Sequence, residues 1–378
     1  MPQLFNRTLN ANEVLAGLSN MIIAIQTFAD NISETKSTLI NMMRVDAGPY
    51  GDQKLYVSVD ILKTYDWQND REAANLLQLH RPPQPKVQSI AVNRFRMVPL
   101  TTDYYMTKRA WTEEGSFAAF TSTLLTMMSD TRRVFEATTY NTFVGTTESL
   151  TGKQVVNVAL PAEPDSTSDV EIEAYNRLTA QIIAQKLSEL LMDVEDINRD
   201  YNDYGFLRSY NVSNLVFVWN HDWVAKITKL DLPTIFHKDD LVERLAEHTL
   251  PARYFGNVNA SAGTTGAANT TIRSLIEKDY NTVDMNNPAY NPALHVFPGD
   301  LLPGNTPYGE NETYGENPNI ICKVMHKNGA PMLNGFSAGT EFYNPRSLTN
   351  TSYMIWSYSD PEYLMQYPFI TLKAQVAE

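Results

Sequence analysis

The sequence predicts an α+β fold on three observations. A helical run without Gly or Pro extends from Ser116 to Val144, a long stretch of extended chain precedes it, and a mixture of helices and apolar strands follows. In the helical run Phe117, Phe120, Leu124, Met128, Val134 and Phe135 recur at roughly i, i+3, i+4 spacing, with Thr131 and Thr138 on the same stripe. Ser116 is placed to cap the first turn and Gly145 to supply a left-handed residue after the last. Such a helix is about 42 Å long at roughly 1.5 Å per residue. A compact chain of this length has a radius of gyration of only about 21 Å. A helix of that reach, set between an extended arm and a compact segment, suits a lattice-building subunit better than a catalyst.

The elements before the helix divide at Arg44. Leu15, Leu18, Ile22, Ile25, Phe28 and Ile32 make an amphipathic stripe, opened by the capping pair Asn10 and Glu13. Its apolar face has two candidate partners, its own domain or a neighbouring chain. From Arg44 to Trp111 the chain reads as extended. Leu55, Val57, Val59 and Ile61 alternate with Tyr56, Ser58, Asp60 and Leu62, as in a half-buried strand. Arg81-Pro82-Pro83-Gln84-Pro85 interrupts, since proline has no N–H for a ladder. A second extended run, Lys86 to Leu100, alternates Arg94 and Arg96 with Phe95 and Met97. Such an arm exposes an edge and a row of charges unless another chain covers it.

After the helix, Val155 to Leu160 reads as a short strand, and Ser168 with Glu171 forms a second capping box opening a helix to about Val194. Its stripe is Ile172, Tyr175, Ile183, Leu187, Leu190 and Val194. Leu215-Val216-Phe217-Val218-Trp219 is continuously apolar, the signature of a strand buried on both faces. Short helices are expected near Asp222 to Lys229 and Asp240 to Glu247. Asn, Pro and Gly fill half of 286–319, a composition for turns and surface excursions. Strands resume at Ile320 to Lys327, at Tyr353 to Tyr358 after the turn Asn344-Pro345-Arg346, and at Phe369 to Leu372.

Composition narrows the function classes. Lys and Arg number 30 against 43 Asp and Glu, a net charge of −13, which argues against a general nucleic-acid-gripping surface. Cys322 is the single cysteine, so no intramolecular disulfide framework exists, and its apolar surroundings Ile320 and Ile321 point to a buried structural thiol. The early apolar stretch Val14 to Phe28 is too short and too polar to span a membrane and lacks the features of a signal peptide.

Chemical motifs fail on inspection. Gly335-Phe336-Ser337-Ala338-Gly339 matches a nucleophile elbow, but Pro345 blocks a long following helix and the last histidine, His326, precedes the serine. Gly145 to Lys153 lacks the first glycine of a phosphate loop, with Thr147 in its place, and Gln154 replaces the magnesium-binding hydroxyl. In the acidic run Asp193, Glu195, Asp196, Asp200 and Asp203, a calcium loop starting at Asp200 puts Tyr204 at a ligand position and ends on Asn211 instead of a glutamate, so a solvated helix end is the expected reading. The six histidines, His80, His221, His237, His248, His295 and His326, show no metal-ligand spacing. No catalytic residue, cofactor site or metal site is expected.

Three stretches carry a family resemblance: Arg94-Phe95-Arg96 through Trp111 leading into the Glu114–Val144 helix, the Leu215–Trp219 strand with its following helix, and Phe342-Tyr343-Asn344-Pro345-Arg346-Ser347-Leu348 leading into Ile355-Trp356. By element order the chain resembles the major capsid protein of tailed double-stranded-DNA bacteriophages, the Hong Kong 97-type capsid fold. Within it the chain is most similar to small short-tailed phages related to phi twenty-nine. The resemblance implies an N-terminal helical arm at 1–43, an extended β loop at 44–112 lying over the adjacent subunit, and a peripheral domain with the spine helix at 113–154. It further implies an axial domain at 155–335, with 286–319 as an irregular excursion, and returning peripheral-domain strands at 336–378. The implied function is self-assembly into an icosahedral head shell enclosing the double-stranded genome. Its partners are copies of itself in pentamers and hexamers, with scaffolding and portal proteins; packaged DNA is met by non-specific proximity and no membrane is involved. The protein is then a virion component made in the bacterial host cytoplasm. Arg94, Arg96 and Lys108 are the candidate inter-subunit contacts, as salt bridges to acidic helix faces. Two alternatives fit the same sequence, an encapsulin-type compartment shell and, in a different class, a serine hydrolase using Ser337. A secreted binding protein fits the sequon Asn259-Ala260-Ser261 but not the lone Cys322.

Overall fold

A computed structural model describes residues 38–46, 53–66, 79, 81–103, 114–164, 168–228, 248–259, 306–309 and 312–376. The amphipathic stripe from Leu15 to Ile32 and the helix expected near Asp240 to Glu247 lie outside these residues. The described residues fall into two units.

The first unit contains α1 (Thr38–Met43), β1 (Arg44–Asp46), β4 (Arg94–Asp103), the long helix α2 (Glu114–Thr146) as far as Thr138, and the strands β12 (Met332–Asn344, from Leu333) and β13 (Thr349–Tyr358). Its sheet runs β1-β12-β13-β4. The antiparallel register pairs Trp356 with Arg96 and Ser337, and Ile355 with Met97 and Ala338. Directly paired residues share a face, so successive pairs alternate between two faces. One face packs on α2: the Phe135 ring lies edge-on to Trp356 at 6.2 Å and to Tyr358 at 6.0 Å. Gly335 sits inside β12 because the backbone runs against β13; a Cβ there would lie 2.1 Å from Ser357 Oγ.

The second unit contains the pair β2 (Gln53–Ser58) and β3 (Lys86–Ala91, to Ile90), then β5 (Val155–Leu160), α3 (Asp169–Glu195), β6 (Leu215–Asn220), α4 (His221–Thr228) and β7 (Thr249–Leu250). It continues with β8 (Gly256–Asn259), β9 (Thr306–Gly309), β10 (Glu312–Glu316), β11 (Ile320–His326) and β14 (Phe369–Val376). The main sheet runs β5-β14-β11-β6-β7. All residues of β6 and of β11 are buried, as the apolar run at Leu215 requires. The core joins Ala180, Ile183, Leu187, Leu190 and Val194 of α3 to Phe217, Trp219, Val324, Ile370 and Leu372 of the sheet.

Several expectations change in the folded chain. The helix α2 starts before Ser116 and includes Gly145, which is not left-handed; the described positive-φ glycines are Gly152 and Gly205. Gly145 is required instead by close approach, since a Cβ would fall 2.0 Å from the Tyr254 carbonyl oxygen. Thr131 is exposed while Glu136 is buried, so the helix does not present the simple apolar stripe expected of it. Ser168 does sit at the N-cap of α3, but its hydroxyl makes no cap bond; its carbonyl accepts from the Glu171 and Ile172 amides. Ile172 is exposed. Within 286–319 the chain forms β9 and β10, which pair antiparallel beside β8. Backbone pairing needs no apolar side chain, and Thr306, Tyr308, Thr313 and Tyr314 favour extended conformation. The last strand, β14, pairs with β5 and β11 and not with β12 or β13, so the C-terminal strands are shared between the two units. Within the extended 44–112 segment, β4 forms the edge strand of the first unit's sheet.

Candidate assembly surfaces

Two strands in the extended segment are inverted relative to ordinary half-buried strands. Along β2 and the residues after it the expected alternation holds, but the apolar members point outward: Leu55 is 63% exposed and Val57 59%, while Ser58 is 5% exposed. Val59 and Ile61 continue the exposed series, and the alternation ends there, since Leu62 is exposed as well. Along β4 the same reversal places Arg94 and Arg96 half-buried and leaves Phe95 and Met97 exposed. This corrects the expectation of a solvent-facing arginine row.

These half-buried charges find partners in the same unit. Arg94 Nε donates to Asp360 Oδ1 at 2.8 Å, and Asn93 Nδ2 donates to the other carboxylate oxygen at 2.9 Å. The Arg96 guanidinium lies over the Phe135 ring, 5.3 Å from its centroid. Glu136 accepts from Arg44 and from Arg132 Nε, and Arg132 also donates to Ser337 Oγ at 2.9 Å. Ser337 is therefore an exposed strand residue held by an arginine, with strand rather than helix after it. Lys108 lies outside the described residues.

The exposed side of the β4–β13–β12 sheet is correspondingly apolar. Phe95 and Phe336 meet at 6.1 Å between ring centroids. Register puts Met97, Ile355 and Ala338 in one row and Pro99, Tyr353 and Thr340 in the next, with exposed Phe342 beyond. Monomeric soluble proteins seldom expose apolar faces this continuous, and those that occur mark sites of association. The β4 edge is unpaired along its outer side among the described residues, with Pro99 blunting it.

The second unit contains a polar knot in the stretch read from sequence as a solvated acidic helix end. Asp203 Oδ1 accepts from Ser149 Oγ, from Thr151 Oγ1 at 2.8 Å and from Gln154 Nε2 at 2.8 Å; Oδ2 accepts from Tyr363 OH. Burial pushes the Asp203 carboxyl upward, but these four donors outweigh it and hold the group below the usual carboxylate range. Asn202 is fully buried and closes the loop by exchanging two bonds with the Phe206 backbone, at 2.7 and 2.8 Å. Composition gave no sign of this, because the donors come from two segments, 149–154 and Tyr363, both distant in sequence from Asp203.

Deeper in the sheet, Lys323 of β11 is buried and donates to the Thr147 carbonyl and to Thr371 Oγ1, both at 2.8 Å. Burial lowers its ammonium to about 7, with Glu148 acting in the opposite direction. Cys322 beside it is fully buried, and burial pushes its thiol well above the ordinary range, which makes it chemically inert.

An arrangement of two units with outward apolar strands fits a subunit of an assembly. The family model for the Phi29-like phage major capsid protein matches residues 3–359. The chain belongs to that family. As a phage major capsid protein it is a subunit of the head shell, a virion component that assembles with copies of itself. Solved structures agree on the fold. The chain is similar to one from the capsid structure of Staphylococcus phage Andhra, at 11% identity and a TM-score of 0.59, over 89% of this chain and 84% of that one. A chain from the structure of the head fibre and inner core protein gp22 of native bacteriophage P68 matches at 11% identity and a TM-score of 0.58, with the same coverage of 89% and 84%. Among curated proteins none matches. The Hong Kong 97-type α+β fold is thus the fold of this capsid protein, and neither the compartment-shell nor the hydrolase alternative has support. Among the described residues no helix is long and apolar enough to cross a membrane.

Proposed function

We propose that this capsid protein closes its shell by covering outward apolar strands of one subunit with those of the next. One observation carries the reading: Leu55, Val57, Val59 and Ile61 face outward from the β2 arm while its polar side chains turn to its own subunit. Alternating residues from Leu55 to Ile61 span about 20 Å at roughly 3.3 Å per residue, the length of the Phe95-to-Thr101 face on β4. A head-to-tail contact of this kind repeats around rings and closes into a shell.

On this reading residues 44–112 supply the loop that reaches the adjacent subunit, 113–154 and part of 336–378 the peripheral domain, and 155–335 the axial domain at pentamer and hexamer centres. Residues 1–43 remain an arm at the subunit edge. The shell encloses double-stranded DNA, which a net charge of −13 keeps from adhering to the wall. Scaffolding and portal proteins are the further partners, synthesis is in the host cytoplasm, and the protein carries out no catalysis. Ion pairs from Arg94, Arg96 and Lys108 are secondary contacts here. Asp360 and the Phe135 ring already engage the first two within their subunit.

The test is a variant with Leu55→Ser, Val57→Ser and Ile61→Ser, co-expressed with scaffold and followed by sedimentation and negative-stain microscopy. The expected result is folded subunit without closed shells. Shells at wild-type yield would overturn the reading.

A further inference from the structure

The outward arm is held at its base by two clamps, neither of which the capsid reading requires. On the β2 side, Asp60 Oδ2 accepts from Arg199 Nη1 at 2.9 Å, and Asp60 Oδ1 accepts from the Leu207 amide at 3.0 Å and from the Ile61 amide at 2.9 Å. Arg208 Nη2 donates to the Val59 carbonyl at 2.6 Å, and Arg199 Nη1 also donates to the Gly205 carbonyl at 2.7 Å. On the β3 side, Gln88 Nε2 donates to the Tyr363 carbonyl at 2.9 Å while its Oε1 accepts from the Met365 amide at 3.0 Å. That amide side chain imitates a strand partner, using both its donor and its acceptor on one backbone segment.

The two receiving segments are themselves tied together. Tyr363 OH donates to Asp203, and the Asp203 amide donates to the Met365 carbonyl at 2.8 Å. The 196–208 loop is closed on itself by the Asn198–Arg208 backbone pair and the Asn202–Phe206 exchange, with Gly205 at φ +65° making its turn. Both strands of the arm are therefore fastened to one frame, centred on a carboxylate that never touches the arm. The clamps act at Asp60 and Gln88, directly beside the outward Leu55, Val57, Val59 and Ile61, so a rotation at the frame re-aims that face. Networks satisfied at each member resist such rotation, whereas a single exposed ion pair contributes little.

We propose that Asp60 and Gln88, through the Asp203–Tyr363 frame, are positioning residues that fix the direction in which the arm leaves its subunit, and thereby the size of the assembled shell. The inference rests on the reading that the arm covers a neighbouring copy. It adds that shell geometry is set by groups touching no neighbour.

The experiment compares full-length Asp60→Asn, Asp60→Ala plus Gln88→Ala, and the surface control Glu189→Gln, each co-expressed with scaffold. Particle diameters are measured by electron microscopy and subunit stability by urea denaturation. The expected result is that the control keeps one size class and the clamp variants lose it, giving mixed diameters or open sheets while denaturing within the wild-type range. Asp60→Asn keeps the side-chain volume and serves if the double variant does not fold. A single wild-type diameter from a folded clamp variant overturns the proposal. If the arm-face serine variant fails to assemble while clamp variants give wild-type shells, this inference alone falls. If the serine variant also assembles, the covering reading falls with it.

Discussion

The five-stranded sheet of the second unit and the β4–β13–β12 sheet of the first use similar residues to opposite ends. Every position of β6 and β11 is enclosed, with α3 covering one face through Ile183, Leu187 and Leu190. The other sheet has one covered face, holding Trp356 and Tyr358 against Phe135, and one open face bearing Phe95, Met97, Phe336 and Phe342. The difference separates apolar residues that stabilise the subunit from those kept for contacts between subunits. At roughly 25 cal/mol per Å² of apolar area removed from water, a surface left open in the monomer becomes stabilising once a neighbour covers it.

Substitutions in the closed sheet are expected to have the largest effect on the subunit itself. Trp219→Ala removes a side chain left 2% exposed at the centre of the core. It should cost about 3–5 kcal/mol of unfolding free energy, measured from the urea midpoint. Lys323 tests the same sheet through pH. Its folded value of about 7 lies below the ordinary lysine value of 10.5, so between these pH values the unfolded chain binds a proton that the folded chain does not. Stability therefore rises as pH increases from about 7 toward 10.5 and is lowest below that window. Lys323→Met should abolish this slope and raise stability at pH 7 by about 1–4 kcal/mol, with little gain at high pH. Urea titrations at pH 7 and at the alkaline end of the window decide it; an unchanged slope would show that another group titrates.

Gly145→Ala probes the close approach to Tyr254 rather than a cap. A Cβ at 2.0 Å from the carbonyl oxygen forces a shift, and a loss of about 1–3 kcal/mol is expected on thermal or urea unfolding. The smallest effect on subunit stability belongs to the open faces. Phe95→Ser with Phe342→Ser should leave the unfolding free energy within about 0.5 kcal/mol of wild type, as for other exposed positions. The same variant should reduce shell yield, read by sedimentation. A large drop in subunit stability would blur the contrast between the two sheets.

Much of the architecture was readable from local pattern. The apolar run at Leu215, the helix into Val144 and the helix ending near Val194 correspond to elements of the right type, and the alternation from Leu55 does so as far as Ser58, where β2 ends. The candidate surfaces were less legible. The alternation at β2 and β4 was visible, but the side facing the subunit was misjudged, because an arginine row reads as solvent-facing by default while Asp360 and Phe135 lie far away in sequence. Asp203 looked like one acid among several until Ser149, Gln154 and Tyr363 were brought around it.

Periodicity is a local property, set by how each residue's side chain projects from a helix or strand, and so the sequence alone determined which segments became which elements. It also determined, through composition and the single cysteine, that no disulfide framework holds the chain. What a face meets depends on groups dozens or hundreds of residues distant. Only the tertiary structure decided that Leu55 and Phe95 point outward, that Gly145 admits a carbonyl, and that one half-buried aspartate ties together the base of an arm. The free energy of each arrangement belongs to contacts that no short window of sequence contains.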